Sequence, residues 1–397
     1  MSLLIWKISD CWELIKLDNK NVQVETILPY GESIRPLITS SLLTKYDLKQ
    51  FLSNRGVFIC DAEKEVSVPI ICTSILSPEE FEDLMNRQTT KESKVKRVNR
   101  RVNWDASTNL FDAFKRYQIP YQEMISERVN NFRVIQPTRF VALNKNNKNE
   151  LALEYKIERE DPTKDWSTLK SIHEARILLK KTDKNILEIS MESTANETKE
   201  LNDKILNRVI SYLKDQCFID KNERVQKIIF GDFTNQGRIE FLLSLHSDDP
   251  IEVFTFKEIT NIELNVDSKG EIPDDIEWMK NRVKNLIIKG QGLHDTMFLK
   301  NPNYHDCLVV TSIEADYEYD YSGSKGICKI DYGFQMKSKS FTKQSEFEFK
   351  ILKVNPNSQE NKKKVEKELR NRFDDFKSKK YMLYKENEKK ERNLPQT

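Results

Sequence analysis

Glycine is scarce, ten in 397 residues. No GxxxxGK[ST] or GxGxxG string occurs, which argues against P-loop nucleotide hydrolysis and Rossmann-type dinucleotide binding. Six cysteines (Cys11, Cys60, Cys72, Cys217, Cys307 and Cys328) form no CxxC pair. Most sit in apolar runs, so they read as free thiols in a reducing compartment. The four histidines are scattered. His294, His305 and Cys307 come nearest to a ligand cluster, and no metal site is expected from them. No apolar run approaches the ~18 residues of a membrane span. The start, Met1 to Ile8, lacks the basic and long apolar segments of a secretory signal, so the expected compartment is the cytoplasm. Charge of one sign is also missing overall, at net +2. Any grip on a polyanion must come from local clustering.

Such a cluster exists. Lys91, Lys94, Lys96, Arg97, Arg100 and Arg101 crowd a short stretch in which Glu92 is the only acid. The pattern fits a ragged strand or a docked arm. Its three arginines suit bidentate contact with phosphate oxygens, and binding would weaken steeply with salt. Trp104 is placed to stack on an unpaired base, or to be a core aromatic. A solvated face is the plain alternative for the lysines and arginines.

The helical stretch before the strip has its own punctuation. Ser77-Pro78-Glu79-Glu80 is a helix start with a Ser N-cap, Pro at the first position and a carboxylate reaching back. Residues 44–76 resemble the SAP and HeH class of small DNA-binding units. The likeness rests on Leu48 through Gly56, an extended connector, and Lys64 through Ile71. It implies a first helix ended by Gly56, Val57 or Phe58 packed beneath both helices, and a second helix aimed at phosphate. Pro69 inside that second helix, and Asp61, Glu63 and Glu65 around its start, depart from the pattern. An ordinary helical hairpin is the alternative.

The expected class is α+β. It comprises an N-terminal helical (SAP/HeH-like) unit, a central mixed α/β domain, and a C-terminal antiparallel β ribbon with a terminal charged helix. The boundaries expected are N-terminal strands over 1–35, the helical unit with its basic strip over 36–104 and the central domain over 105–290. The ribbon takes 291–356 and the charged helix and tail 357–397. Strand candidates are Leu3–Ile8, Val22–Leu28, Phe132–Ile135, Arg139–Leu143, Leu151–Ile157, Ala175–Lys180, Ile186–Met191, Val225–Phe230 and Ile251–Phe256. Helices are expected near Leu110–Tyr117 and Tyr121–Arg128, over 197–214, after a Thr234 cap, over 271–290, and after a Ser358 cap. Ser322-Gly323 begins a hairpin loop.

One constellation points to catalysis. A metal-dependent nuclease of the PD-(D/E)xK kind needs an acid and an E-x-K on adjacent strands. Two carboxylates then hold Mg²⁺ and the lysine polarises water. Asp331, Glu348 and Lys350 have a workable spacing for it, and Glu154 with Lys156 repeats the E-x-K. A charged strand edge explains the same residues without chemistry. His173-Glu174 and His294-Asp295 are isolated pairs, and no nucleophile elbow is present.

Several strings together resemble the second ("b") subunits of GapS-type two-component bacterial anti-phage systems. They are Ile27 to Ser33, Leu52 to Phe58, Leu76 to Phe81, the basic strip, Glu158 to Asp161 with Lys164 to Trp166, Ile228 to Phe233, and Ile276 to Met279. The resemblance implies a separate nuclease subunit as partner and a hetero-oligomer. This chain would be its non-catalytic DNA-binding or sensing subunit, without a cofactor. The alternatives are a Mg²⁺-dependent nuclease and an interaction scaffold that does not bind nucleic acid.

Overall fold

The computed structural model describes residues 30–39, 43–61, 63–92, 94–125, 131–144, 147–160, 170–182, 185–246, 253–267, 273–274, 276–279, 286–334, 342–357 and 361–392. The strands expected over Leu3–Ile8 and Val22–Leu28, the Asp161–Trp166 part of the charged loop, and the Ser358 cap lie outside them. The chain divides into two compact units: Met1–Glu92 with Glu160–Ser171, and Ser93–Arg159 with Ile172–Thr397.

The first unit is helical: α1 (Arg35–Thr39), α2 (Lys45–Asn54), α3 (Lys64–Cys72) and α4 (Pro78–Glu92). Thr44 caps α2 through a reciprocal box with Asp47, and Ser77 with Glu80 does the same for α4. Their apolar faces meet in one core built on Leu37, Leu48, Phe51, Val68, Ile71 and Leu84. Gly56 ends the turn after α2 at φ +76°, as a left-handed helix terminus requires. The connector differs from expectation. Phe58 is 83% exposed, and Ile59 packs against the core instead. Val57 is exposed as well, so Ile59 is the connector residue that reaches inside. Pro69 is accommodated within α3, whose final turn still closes through Thr73 N–H to Pro69 O at 3.0 Å.

The second unit is organised by one large sheet. Its elements in chain order are β1 (Lys96–Asn103), α5 (Leu110–Phe114), α6 (Tyr121–Met124), β2 (Phe132–Gln136), β3 (Val141–Asn144), β4 (Asn147–Glu160), β5 (Lys170–Lys181), β6 (Ile186–Ser193), α7 (Asn196–Asp215), β7 (Gln226–Lys227), α8 (Asn235–Ser244), β8 (Phe254–Val266), β9 (Leu286–Lys289), α9 (Met297–Lys300), β10 (Leu308–Tyr321), β11 (Ser324–Phe334), β12 (Phe347–Pro356) and α10 (Lys362–Arg392). The strand order is β2-β4-β5-β6-β1-β12-β11-β10-β8-β9, with β3 on β4 and β7 on β1. The stretches expected as a central domain and a separate C-terminal ribbon thus share a single sheet. The strand pairs whose register is described are antiparallel, and tight turns join β5 directly to β6 and β10 directly to β11. Ser322 and Gly323, at φ +53° and +84°, make the tight β10–β11 turn.

Where a helix was expected over 271–290, the described residues hold a 3₁₀ turn at Glu277–Met279 and the strand β9. Leu286-Ile287-Ile288 is apolar, with β-branched Ile287 and Ile288, and it pairs with the edge of β8, Ile288 opposite Ile262.

The sheet is covered on opposite faces in its two halves. Leu201, Ile205, Leu206 and Val209 of α7 cover β4, β5, β6 and β1 through Leu153, Ile177, Ile189 and Val98. Phe373 and Phe376 of α10, with Phe241 of α8, cover β12, β11, β10 and β8 through Phe349, Ile330, Ile313 and Ile262. Arg97 is the register partner of Phe349, so it lies on the α10 face, whereas Val98 lies on the α7 face. Strand β1 is therefore the line at which the cover changes sides.

Candidate functional site

Lys96, Arg97, Arg100 and Arg101 of the basic strip lie on that central strand. Alternation sends Arg97, Asn99 and Arg101 to the α10 face and Val98, Arg100 and Val102 to the α7 face. Opposite them on β6 stand Glu192, Ser190 and Glu188. The result is a ladder of polar cross-strand pairs on the α10 face. Arg97 Nε donates to Glu192 Oε1 at 3.1 Å, Asn99 Nδ2 to Ser190 Oγ at 2.8 Å, and Arg101 Nη2 to Glu188 Oε1 at 2.9 Å.

Helix α10 closes this ladder. Arg97 Nη2 donates to Asn371 Oδ1 at 2.8 Å and Nη1 to the Arg370 carbonyl at 3.4 Å. Arg370 Nη1 returns to Glu192 at 3.2 Å, and Lys377 Nζ donates to Asp374 Oδ1 at 2.8 Å. Arg97 is 2% exposed and Lys377 1%. Charges buried this deeply are tolerated only when paired and hydrogen-bonded. Burial alone would raise the Glu192 carboxyl, but the Arg97 and Arg370 guanidiniums outweigh it and hold it at about 2. Burial also works against the Asp374 carboxylate, and Lys377 and Arg97 bring it below its ordinary value.

Arg100 serves a different place. Strand β1 pairs with β12 at Lys96 and Arg97, then with β7 at Arg100 and Arg101. The segment after β7 bridges back toward β12 through Ile229 and Glu346. Strand β7 thus fills a fork between two diverging strands. Arg100 spans it, donating from Nε and Nη2 to Glu346 at 2.8 and 2.9 Å, and also to Asp203 of α7. It is 4% exposed.

The cationic surface expected over Lys91–Arg101 is therefore interior at its two central arginines. Their guanidiniums are held by this chain's own carboxylates. Lys96 Nζ lies 3.5 Å from Glu348. Lys94 is half-buried and Arg101 keeps part of its side chain in solvent. Lys91 ends α4, with its side chain outside the described residues. Trp104 is 1% exposed, stacked on Phe218 at 5.4 Å with Lys181 over its ring, which is the core-aromatic arrangement.

The E-x-K constellation is brought together in part. Asp331 and Lys350 are register partners on β11 and β12, and Lys350 Nζ meets Asp331 Oδ2 at 2.8 Å. Burial raises Asp331 above its usual value despite Lys350, with Glu314 and Glu348 adding to it. Burial works against the Lys350 ammonium, yet Asp331 keeps it above its usual value and so protonated. Glu348 turns instead to Lys199, at 3.3 Å, and Lys96. Among the described residues no group of three or more His, Cys, Asp and Glu side chains stands where it could hold a metal ion. Glu154 and Lys156 pair separately, with Arg176 and Glu174. His305 Nε2 bonds the Leu299 carbonyl and Cys307 the Tyr304 carbonyl, while His294 faces Asp295.

Residue reasoning missed the partners: Glu192, Glu346, Asn371 and Asp374. Their one signal in sequence is a pair of acids four apart on β6, Glu188 and Glu192, matching arginines four apart on β1, Arg97 and Arg101, an even spacing that keeps each pair on one face.

Residues 32–94 match a family model described as the GAPS4b protein N-terminal domain. No curated protein matches the chain. Among the described residues no helix is long and apolar enough to cross a membrane.

Proposed function

We propose that this chain is a non-catalytic subunit of a GAPS-type anti-phage complex, assembling with a separate nuclease subunit and contacting DNA. The GAPS4b N-terminal domain match over residues 32–94 carries the reading. The self-neutralised Asp331–Lys350 pair supports a non-catalytic role, because a lysine bonded to its own carboxylate is not aimed at water. In this proposal DNA is met by cations that keep solvent contact, namely Lys94, Arg101 and the exposed lysines Lys362, Lys363 and Lys364 at the start of α10.

A salt titration of duplex binding tests it. Each lost phosphate contact should make the slope of log affinity against log salt about one unit shallower. Alanine at Lys94 and Arg101 should therefore flatten the slope. Cleavage of DNA by the isolated chain with Mg²⁺ would refute the non-catalytic role. A second reading, an interaction scaffold without nucleic-acid affinity, is favoured by the internal use of Arg97 and Arg100. It wins if no salt-dependent binding is found while the partner subunit still co-purifies.

A further inference from the structure

The large sheet ends at β9, the outermost strand of the pairing order among the described residues. Its ladder to β8 sets Leu286, Ile287, Ile288 and Lys289 opposite Leu264, Glu263, Ile262 and Asn261. The register continues into Gly290, whose N–H donates to the Thr260 carbonyl at 3.1 Å. In an antiparallel pair, residues alternate between turning their backbone groups to the neighbour and turning them away. Gly290 and Ile288 therefore present theirs to β8, while Ile287 and Lys289 present theirs outward. Among the described residues nothing bonds to those outward groups.

Open edges are usually blunted by proline, by a bulge or by a row of charges. Strand β9 has no proline, and its four pairs with β8 run without a register shift. Its one charge, Lys289, stands at its end. Ile287 is 53% exposed, on the sheet face away from α10, whereas Leu286 and Ile288 pack against the core on the α10 side. The far edge of the sheet is built differently. There β2 and β3 both pair with β4, so that edge is broken into two short strands.

We infer that β9 pairs with β9 of a second copy of this chain, antiparallel about a two-fold axis at Ile287. In that register the strand is its own complement. The two Ile287 residues stand directly opposite each other, exchange N–H and C=O, and bring their side chains together on one face. On the other face Leu286 meets Ile288 of the second copy, which carries the apolar layer across the junction. The two Lys289 residues are four positions apart along the strands, about 14 Å, so like charges are not set against each other. A net charge of only +2 adds little repulsion between copies. The pairing is independent of DNA binding and of a nuclease partner.

The test is the mass of the full chain in sedimentation velocity over a concentration series. Wild type should pass from monomer to dimer as concentration rises. Ile287→Lys sets two ammonium groups against each other at the axis, from a position exposed in the single copy. It should weaken self-association about tenfold or more. Ile287→Pro removes the outward N–H and leaves the ladder to β8 intact, and it should weaken association likewise. Val141→Lys, at a 51% exposed position on the far edge, should leave association unchanged. A chain that stays monomeric at every concentration overturns the inference and leaves the edge to a strand of some other protein. It is equally overturned if Ile287→Lys, with an unaltered unfolding midpoint, associates as wild type does, or if Val141→Lys weakens association as much.

Discussion

Arg97 and Glu192 stand directly opposite each other on β1 and β6, both buried, with two guanidinium nitrogens on one carboxylate oxygen. Removing one partner leaves an unpaired charge where water does not reach. Arg97→Ala or Glu192→Ala should each cost about 3–5 kcal/mol in chemical denaturation. Arg97→Met with Glu192→Leu should recover much of that loss. Equal stability of wild type and the single variants would show the pair to be ornamental.

Acid should unfold the second unit by way of the same carboxylate. Glu192 is lowered from 4.5 to about 2, against burial, by Arg97 and Arg370. A lowered carboxyl contributes stability that is complete above about 4.5 and is lost as pH falls toward 2. His246 adds a second window. Burial, then His294, lowers it from 6.5 to about 3. The unfolded chain takes that proton first, so stability begins to decline below pH 6.5. Unfolding midpoints followed across pH should show both slopes. Glu192→Gln should remove the acid one and leave the other.

Gly237 marks the contact of α8 with α10. A Cβ built there would lie 2.2 Å from the Tyr384 hydroxyl oxygen. Gly237→Ala should destabilise by about 1–3 kcal/mol through overpacking, despite the gain in helix propensity. Tyr384→Phe in the same chain should relieve most of it, since the hydroxyl is the clashing atom. Thermal melts of the two variants beside the wild type decide.

Under the proposed assembly with a nuclease subunit, cleavage of DNA should be indifferent to this chain's E-x-K. Lys350 is bonded to Asp331, and Glu348 faces two lysines. Glu348→Gln and Asp331→Asn are therefore expected to leave the rate of DNA degradation unchanged. A loss of more than tenfold, with assembly intact, would return the site to catalysis.

Local signals were legible in the residues themselves. The Ser77–Glu80 box, the Thr234 cap, the amphipathic period of α7 and the Ser322-Gly323 turn each depend on neighbours a few positions away. So did the α+β character, because period-two and period-3.6 patterns alternate along the chain. What β1 does with its cations was decided only in three dimensions. Glu192 lies 95 residues from Arg97, Asp374 lies 277, and Glu346 lies 246 from Arg100. A run of Lys and Arg reads alike whether it faces solvent or an ion ladder. Strand order and the docking of α10 select between the two, because a buried guanidinium is stable only where a carboxylate has been brought to meet it.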